Sequence, residues 1–434
     1  MVLILYHQKP RVQREAISKH LLSFGKDSEL EVEYWNVAFG LPPLLSECGF
    51  DAVLFHFTFF LPNINRKFDD QFENWGVLKR MQIPKAALVQ DEYINTSSIC
   101  RFFKEFEVET VFTCLPPDLY QTVYPTEYSG LKNYYTVLTG YIDDDFVREF
   151  GNKPIGHDKR KFDVVYRARK MPYNLGVFGT YKWKLTEIFE NKNEEYNLKL
   201  DVSNDPNSFI FGSDWYKFVG NSRLIIGSEG GSSLHDPEGT IRACCDKLML
   251  SNPNLSFDEV KSACFGDEDE KFPYYAISPR HFEAAVLRTC QVLIEGNYNG
   301  VLKPNIHYIP IKKDFSNLDQ VFSKMKDVHY CEAMAERTFD SIVQSGDYTY
   351  DKFVQFVLST INDQAKIRNR PEVNKNALHR LKLLKRYPYI HSPINYLKLV
   401  GAEMLKRIVW KTGWDKKSWF KKIEFYIHGR NAVR

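Results

Sequence analysis

The sequence predicts an α/β protein with two tandem Rossmann-like domains and a helical, basic C-terminal tail, for three reasons. Short apolar runs without polar alternation are separated by amphipathic stretches, a pattern typical of parallel sheets covered on both faces. Two series of such runs are separated near residues 151–162 by a polar stretch that carries Gly, Pro and Lys. The 434 residues suffice for two domains, and 44% hydrophobic and 26% charged residues are typical of a globular chain.

The first series predicts an N-terminal Rossmann-like domain over residues 1–150. Its apolar runs are short enough for strands, and the longer stretches between them suit helices or loops. The predicted elements are a strand at Val2–Tyr6, a helix at Val12–Phe24, and strands at Val53–Phe57, Lys85–Gln90 and Thr110–Cys114.

The second series predicts another Rossmann-like domain over residues 163–330, closed by helices at 331–374. The closing helices include Tyr350–Ile361, whose apolar residues recur at helical spacing. The predicted elements of the domain itself are strands at Asp163–Tyr166, Lys199–Val202, Ser222–Gly227 and Gln291–Glu295, and a helix over Arg280–Arg288.

The tail, residues 375–434, differs from the rest of the chain in charge. It carries 15 Lys and Arg against three acidic residues, a net of +12, whereas residues 1–374 carry 43 against 52, a net of −9. Basic residues mixed with Trp410, Trp414 and Trp419 are typical of a segment that lies on an anionic membrane surface. Helices packed on the body and a nucleic-acid-binding segment are the alternatives, but no recognition helix or RNA-binding motif supports nucleic acid as a partner.

Targeting signals and cysteines indicate the compartment. No apolar run approaches the ~20 residues that span a bilayer, and the apolar start at Val2–Tyr6 lacks the basic residues of a signal peptide. The eight cysteines show no CxxC and no paired spacing, which favours reduced thiols over a disulfide framework or a zinc site. We therefore expect a cytoplasmic protein, peripheral on the inner face of the membrane.

Two stretches that follow predicted strands are candidates for anion binding, because ligands of open α/β sheets bind beyond the carboxyl ends of the strands. After Tyr166, Arg167 and Lys170 can hold a diphosphate, with a solvated basic turn as the alternative. After Gly227, Gly230 and Ser232 belong to a glycine- and serine-rich stretch that contains neither GxGxxG nor GxxxxGK[ST]. An ordinary glycine-rich loop is the alternative for that stretch.

The third candidate is a helix start. Ser278-Pro279 is typical of an N-cap followed by a proline in the first turn. Arg280 in that turn opposes the helix dipole unless an anion is bound there. Glu283 is placed to accept hydrogen bonds from ribose hydroxyls.

The segment Ser278-Pro-Arg-His-Phe-Glu-Ala-Ala285, with a strand and a glycine soon after it, resembles the group 1 glycosyltransferases of the GT-B fold. The resemblance is to their spore-maturation-protein-like branch and to bacterial surface-polysaccharide transferases. Tyr350–Ile361 resembles the helix that closes such domains, and the resemblance covers mainly residues 160–362. It implies a nucleotide-sugar donor in the C-terminal domain and an acceptor in the N-terminal domain, with no bound cofactor or metal.

Carried onto this chain, the resemblance implies that Glu283 binds the donor ribose. Arg167 and Lys170 would contact the diphosphate, with Ser278 and Arg280 beside it. The family's retaining members carry two Glu eight residues apart, but the first of these positions is Tyr275 here. This departure favours transfer with inversion.

The acceptor side is expected in the N-terminal domain. Asp91, or second Glu92, ends a predicted strand and is the candidate base for the acceptor hydroxyl, with an acidic strand-ending turn or helix cap as the alternative. His7 follows the first strand and can contact acceptor or phosphate. Tyr298 is a candidate for the sugar subsite, although a loop packed on the sheet explains it equally well.

These observations predict a glycosyltransferase that transfers a sugar from a nucleotide-sugar to a saccharide, lipid-linked acceptor in bacterial surface polysaccharide synthesis, such as O-antigen or capsule. No DxD motif follows a predicted strand, and Asp143-Asp-Asp145 is poorly placed for a donor metal. Two alternatives remain. A sugar-nucleotide epimerase of the same fold would need no acceptor, and a saccharide-binding scaffold would bind saccharide without catalysing a reaction.

Overall fold

The computed structural model describes residues 1–8, 15–26, 30–65, 68–152, 154–367 and 371–387. The strands of this part of the chain are β1 (Val2–Tyr6), β2 (Val32–Asn36), β3 (Ala52–Phe55), β4 (Lys85–Leu88), β5 (Thr110–Thr113), β6 (Asn133–Thr136), β7 (Phe162–Arg167), β8 (Leu200–Ser203), β9 (Ser222–Gly227), β10 (Gly230–Ser232), β11 (Tyr274–Ala276), β12 (Cys290–Ile294) and β13 (Tyr308–Ile311).

The helices alternate with these strands, as expected for an α/β fold. They are α1 (Glu15–Leu22), α2 (Gly76–Arg80), α3 (Thr96–Glu105), α4 (Tyr120–Val123), α5 (Thr126–Ser129), α6 (Asp144–Phe146), α7 (Gly176–Tyr196), α8 (Ser213–Gly220), α9 (Thr240–Ser251), α10 (Phe257–Cys264), α11 (Pro279–Val286), α12 (Leu318–Lys326), α13 (Val328–Thr338), α14 (Tyr350–Ile367) and α15 (Lys375–Arg386).

The N-terminal sheet has the strand order β2-β1-β3-β4-β5-β6, and all of its strands pair in parallel. Its central strands are buried and mostly apolar because both faces of the sheet are covered. On one face, an aromatic core packs around Phe59, Trp75 and Phe102. On the other face, Phe353 and Val357 of α14 pack on the strands, so a C-terminal helix completes the core of the N-terminal unit.

The second sheet has the strand order β13-β12-β9-β7-β8 and is also parallel. Beside it, β10 and β11 form a short antiparallel pair. The predicted fold class, two tandem Rossmann-like α/β units, is confirmed by these two sheets.

The two units meet at loops that follow the carboxyl ends of β4 and β9. The backbone N–H of Asn95 donates to the carbonyl of Asp236 (2.9 Å), and the N–H of Asp236 donates to the carbonyl of Tyr93 (2.8 Å). The Thr96 hydroxyl lies 2.9 Å from Nε2 of His235. The ligand-binding edges of both sheets therefore border the junction of the units.

Two further sequence predictions concern the C-terminal tail and the cysteines. The membrane-surface prediction concerns residues 375–434, of which 388–434 lie outside the described residues and 375–386 form α15. None of the helices in the described ranges is long and apolar enough to cross a membrane.

The expectation of reduced thiols is wrong for one pair, because a disulfide joins Cys244 to Cys264. Their separation of 20 residues gave no motif, and only the antiparallel packing of α9 on α10 brings them together.

Candidate functional site

The first turn of α11 forms as the sequence predicts. The Ser278 hydroxyl accepts from the N–H of Arg280 (3.3 Å), and the N–H of Ser278 donates to Nδ1 of His281 (3.0 Å). Pro279 occupies the first helical position. Gly140, from the segment after β6, lies so close that a Cβ there would be 2.7 Å from the Pro279 ring. The start of α11 therefore borders the junction between the two units.

Glu283 is held on the face of this turn by an indole. Nε1 of Trp215, in α8, donates to Oε2 of Glu283 at 2.8 Å. The Arg280 guanidinium lies over the Trp215 ring, 4.9 Å from its centre. Burial raises the pKa of Glu283, and the hydrogen bond from Trp215 partly offsets this rise. The Glu283 carboxylate, the Arg280 guanidinium and the Trp215 indole thus form one cluster, which we call the α11 cluster.

A pocket opens beside the α11 cluster and is built from both units. Its lining comes from α1, the 141–146 segment, α8, α11 and α14, and it includes Lys19, Tyr216, Glu283 and Tyr350. The Lys19 ammonium pairs with Asp143 (3.3 Å) and lies 5.2 Å from the centre of the Tyr216 ring. Sequence reasoning missed Lys19, Trp215 and Tyr216, because they lie in helices without any motif.

Arg167 is a structural residue, which corrects its predicted role on a diphosphate. Its side chain is only 7% exposed. Nε donates to the carbonyl of Ser208 (2.9 Å), Nη1 to the carbonyl of Asp201 (2.8 Å), and Nη2 to Oδ1 of the same Asp201 (2.7 Å). Its guanidinium therefore ties the end of β7 to neighbouring loops. Lys170, by contrast, is exposed beyond β7, and its ammonium lies 5.0 Å from the centre of the Trp183 ring.

Gly230 and Ser232 belong to β10 and pair with β11, so neither residue is placed for the predicted anion contact. Ser232 is fully buried, and its hydroxyl donates to the carbonyl of Leu234 (2.9 Å). Gly231 between them has φ +122°, and a Cβ there would lie 1.9 Å from the carbonyl oxygen of Tyr274. Gly231 therefore serves the close approach of the two strands.

The N-terminus of α7 is closed by the protein's own carboxylate. Both oxygens of Asp269 lie 3.1 Å from the N–H of Val177, and Oδ1 accepts from the Ser233 hydroxyl at 2.7 Å. The Asp269 side chain is fully buried and pairs with Lys261 at 3.3 Å. An anion bound at a helix N-terminus would compete for the same donors, so α7 offers no phosphate site.

The two adjacent carboxylates after β4 lie in opposite environments. Asp91 is exposed at φ +58°, and it accepts from the Tyr93 hydroxyl at 3.4 Å. Glu92 is fully buried, where it accepts from the Thr113 hydroxyl and from the N–H of Cys114 (2.9 Å). Burial raises the pKa of Glu92 to about 8. Glu92 therefore cannot reach an acceptor, which corrects its candidacy as the base.

Two further predicted residues take structural positions. The N–H of His7 donates to the Thr58 hydroxyl (3.4 Å), and that hydroxyl lies 2.9 Å from Nδ1 of His56. His56 is buried and lies 2.9 Å from His20, while His7 itself is half-buried at the carboxyl end of β1. Tyr298 is fully buried, with its hydroxyl donating to the carbonyl of Ile294 (2.6 Å), which corrects its assignment to the sugar subsite.

The structure thus brings together Ser278, Arg280 and Glu283, and it leaves Lys170, Asp91 and His7 at the carboxyl edges of the sheets. Tyr275, the departure from the retaining pattern, stacks on Phe178 with ring centres 4.2 Å apart. Within the described ranges, no group of three or more His, Cys, Asp or Glu is placed to hold a metal ion.

No family model matches the chain, and no curated protein sequence matches it. Solved structures that are similar in fold include an alpha-glucosyltransferase in complex with UDP and a 13-mer DNA containing a HMU base, with a TM-score of 0.49 and 8% identity over 83% of this chain and 98% of that one. HepE of Anabaena in complex with UDP and glucose has a TM-score of 0.47 and 9% identity, covering 83% and 99%. TarM of S. aureus in complex with UDP has a TM-score of 0.40 and 10% identity, covering 72% and 55%.

Proposed function

We propose that this chain is a GT-B-type glycosyltransferase whose nucleotide-sugar donor binds at the α11 cluster. The observation that carries the proposal is the Glu283 carboxylate, held by the Trp215 indole beside an interdomain pocket. A carboxylate accepts hydrogen bonds from two vicinal ribose hydroxyls at once, and it has no donor of its own when ionised. The sequence resemblance to group 1 glycosyltransferases assigns the same residue to the ribose.

Two cations support the donor's diphosphate in this proposal. Arg280 is an exposed residue in the first turn of α11, with Nη1 donating to the carbonyl of Arg167 at 2.6 Å, and Lys170 is exposed beyond β7. The N-terminus of α11 adds its own partial positive charge. Negative charge that develops on the leaving diphosphate is stabilised by such fixed cations and dipoles.

The proposed chemistry is a single displacement with inversion. The acceptor hydroxyl oxygen attacks the anomeric carbon, the bond from that carbon to the diphosphate oxygen breaks, and the nucleoside diphosphate leaves. Asp91, exposed at the end of β4, takes the proton of the acceptor hydroxyl. Tyr275 supports inversion because a phenol packed on Phe178 replaces the first carboxylate of the retaining pattern.

The proposed acceptor is a saccharide, lipid-linked, and the proposed setting is the cytoplasmic face of a bacterial membrane during surface-polysaccharide synthesis. The net positive charge of residues 375–434 supports that setting, since the inner leaflet is rich in anionic lipid. The Cys244–Cys264 disulfide is uncommon for that compartment. Counting free thiols in protein isolated with thiols blocked tests the setting.

The first experiment is thermal unfolding of the full chain with a panel of nucleoside diphosphates and their sugars. A ligand at 100 times its Kd adds about 2.7 kcal/mol to the free energy of unfolding. We expect Glu283→Gln to weaken binding of the stabilising nucleotide about tenfold to 100-fold, because a hydrogen bond to a charged group contributes about 1.5–3 kcal/mol. Glu195→Gln, an exposed change at the far end of α7, is the matched control.

Equal nucleotide affinity in Glu283→Gln and in the wild-type chain would remove the donor assignment. Product analysis with the stabilising sugar nucleotide then separates the three function classes. A transferase consumes the donor only with a saccharide acceptor, an epimerase consumes it alone, and a scaffold binds saccharide without turnover.

A further inference from the structure

The C-terminal helix α15 is fixed on the N-terminal unit. Asn374 caps it by accepting from the N–H of Ala377 (3.1 Å), and the Asn374 N–H donates to the carbonyl of Cys48 (3.2 Å). Ala377 and Leu381 are buried in the aromatic core of that unit. The helix is therefore part of the folded body, and its orientation is set.

Ion pairs fix the side of the unit on which α15 lies. Lys382 and Lys385 pair with Glu33 of β2 at 3.3 Å and 3.4 Å. Because β2 is an edge strand of the N-terminal sheet, α15 lies along that edge. The described part of the chain ends here, at Tyr387.

The outer face of α15 is basic and contains exposed apolar groups. The helix has five Lys and Arg and no acidic residue. Lys375 and Arg380 are exposed and form no ion pair with any described residue. Val373, Leu383 and Tyr387, in and beside the helix, are 43%, 45% and 37% exposed. Exposed apolar groups among basic ones are typical of helices that lie at a membrane surface.

The charge of the whole chain restricts where an anionic partner can bind. Residues 1–374 have a net charge of −9, whereas the sequence that follows α15, residues 388–434, has ten Lys and Arg against three acidic residues. That sequence continues the basic and aromatic composition of the outer face of α15. An anionic surface is therefore attracted at the β2 edge and repelled by most of the body.

We propose that the outer face of α15 binds an anionic phospholipid surface and holds the N-terminal unit with its β2 edge toward the bilayer. Phospholipid fits better than nucleic acid. The exposed side chains of Leu383 and Val373 bury apolar surface when they enter the headgroup region, whereas a phosphodiester backbone offers them no apolar partner. This surface is separate from the α11 cluster and does not depend on the proposed transferase activity.

The test is co-sedimentation of the full chain with phosphatidylglycerol-containing vesicles and with pure phosphatidylcholine vesicles. One Lys or Arg near an anionic surface strengthens binding about fivefold. We therefore expect the triple variant K375Q/R380Q/R386Q to bind the anionic vesicles about 100-fold more weakly. The matched control K159Q/K247Q/K312Q neutralises three exposed lysines of the C-terminal unit and is expected to bind like the wild-type chain.

Leu383→Gln is a second variant that keeps the charge. We expect it to weaken binding several-fold, because an apolar side chain no longer enters the interface. The urea midpoint of each variant serves as the check that it is folded. Rising salt should release the wild-type chain.

Three results would overturn the proposal. The first is equal sedimentation of the α15 variant and the wild-type chain, which would assign binding to residues 388–434 alone. The second is equal binding to neutral and anionic vesicles. The third is binding to a DNA duplex that depends on the same three residues while vesicles bind weakly, which would identify a nucleic-acid surface.

Discussion

Two helix N-termini at the same edge of the C-terminal sheet, those of α7 and α11, differ in what occupies them. The buried carboxylate of Asp269 accepts from the first turn of α7, and Ser233 completes the cap. At α11 the cap consists of the Ser278 hydroxyl and Nδ1 of His281, and Glu283 borders a pocket. A helix N-terminus can accept an anion only where the protein has not already supplied one, and of these two helices α11 is the one without a carboxylate in its cap.

The comparison also separates the three stretches that the sequence marks as candidates for anion binding. The stretches after β7 and β9 have the composition of anion-binding loops, but their polar groups satisfy each other inside the unit. At α11, the unfavourable position of Arg280 near a helix N-terminus was the informative feature. A residue that is electrostatically unfavourable at its position has few explanations, whereas Gly and Ser occur in loops for many different structural reasons.

The largest expected effect comes from opening α7. Asp269→Ala removes a buried acceptor of several hydrogen bonds and the partner of Lys261. We expect the free energy of unfolding to fall by about 3 kcal/mol, since orphaned buried donors cost about 1–3 kcal/mol and a lost cap about 1 kcal/mol. Urea denaturation measures this change, and the exposed Asp267→Asn is the control.

Sulfate sharpens the same experiment. With the carboxylate gone, the N–H groups of α7 are free to bind an anion, so sulfate should restore part of the lost stability in Asp269→Ala and little in the wild-type chain. If nucleotide binding collapses while stability is unchanged, α7 is the donor site and the comparison is reversed.

A second prediction contrasts two arginines. Arg167→Met should lower the free energy of unfolding by about 2 kcal/mol, because it leaves the carbonyls of Asp201 and Ser208 without their donor. Nucleotide affinity should stay near that of the wild-type chain. Arg280→Met should weaken nucleotide binding about tenfold and cost less stability than Arg167→Met, because Arg280 is an exposed residue that loses one hydrogen bond, from Nη1 to the carbonyl of Arg167 (2.6 Å).

Calorimetry of nucleotide binding and urea midpoints, measured on both variants, decide between the two roles. The pair is informative because both changes remove one positive charge from the same edge of the sheet. A similar loss of affinity in both variants would mean that general charge, and not the α11 cluster, attracts the donor.

The interior of the fold was readable from sequence, and most of its edges were not. The central strands β1, β3, β4, β5, β7, β9 and β12 were predicted within two residues of their bounds, because strands buried on both faces are mostly apolar. Of the edge strands, β8 was predicted within one residue of its bounds, whereas β2, β6 and β13 were missed. Glu33 and Asn36 interrupt the first of these, and Pro310 interrupts the last, a residue that sheets tolerate at an edge.

The site was readable only in part, for a different reason. Ser278, Arg280 and Glu283 are neighbours in sequence, so one motif revealed them. Trp215 donates to Glu283 from 68 residues away, Lys19 lines the pocket beside Glu283 from 264 residues away, and no local pattern encodes such an approach. Asp91 and Glu92 show the limit most sharply, since adjacent carboxylates differ only in burial.

The smallest expected effect concerns this last pair and has a sign that can be worked out. Burial raises the pKa of Glu92 to about 8 in the folded chain, above the value near 4.5 of an exposed Glu. The folded state therefore binds the proton of Glu92 more tightly than the unfolded state does. The stability that this proton contributes is fully present below about pH 4.5, and it is lost as the pH rises through about 8. Glu92→Gln keeps the shape without the charge. It should be less sensitive than the wild-type chain to a rise from about pH 7 to about pH 9.

The buried histidine pair does not confuse this measurement. Burial lowers the pKa of His20 to about 3 and that of His56 well below its ordinary value, so their contribution is lost only as the pH falls below about 6.5. Urea midpoints at about pH 7 and about pH 9 therefore report on Glu92. We expect a difference of about 1–2 kcal/mol between variant and wild type. Asp91→Asn, at the exposed neighbour, should leave the pH dependence unchanged, and equal slopes in all three chains would mean that Glu92 is ionised in the folded state and open to the acceptor side.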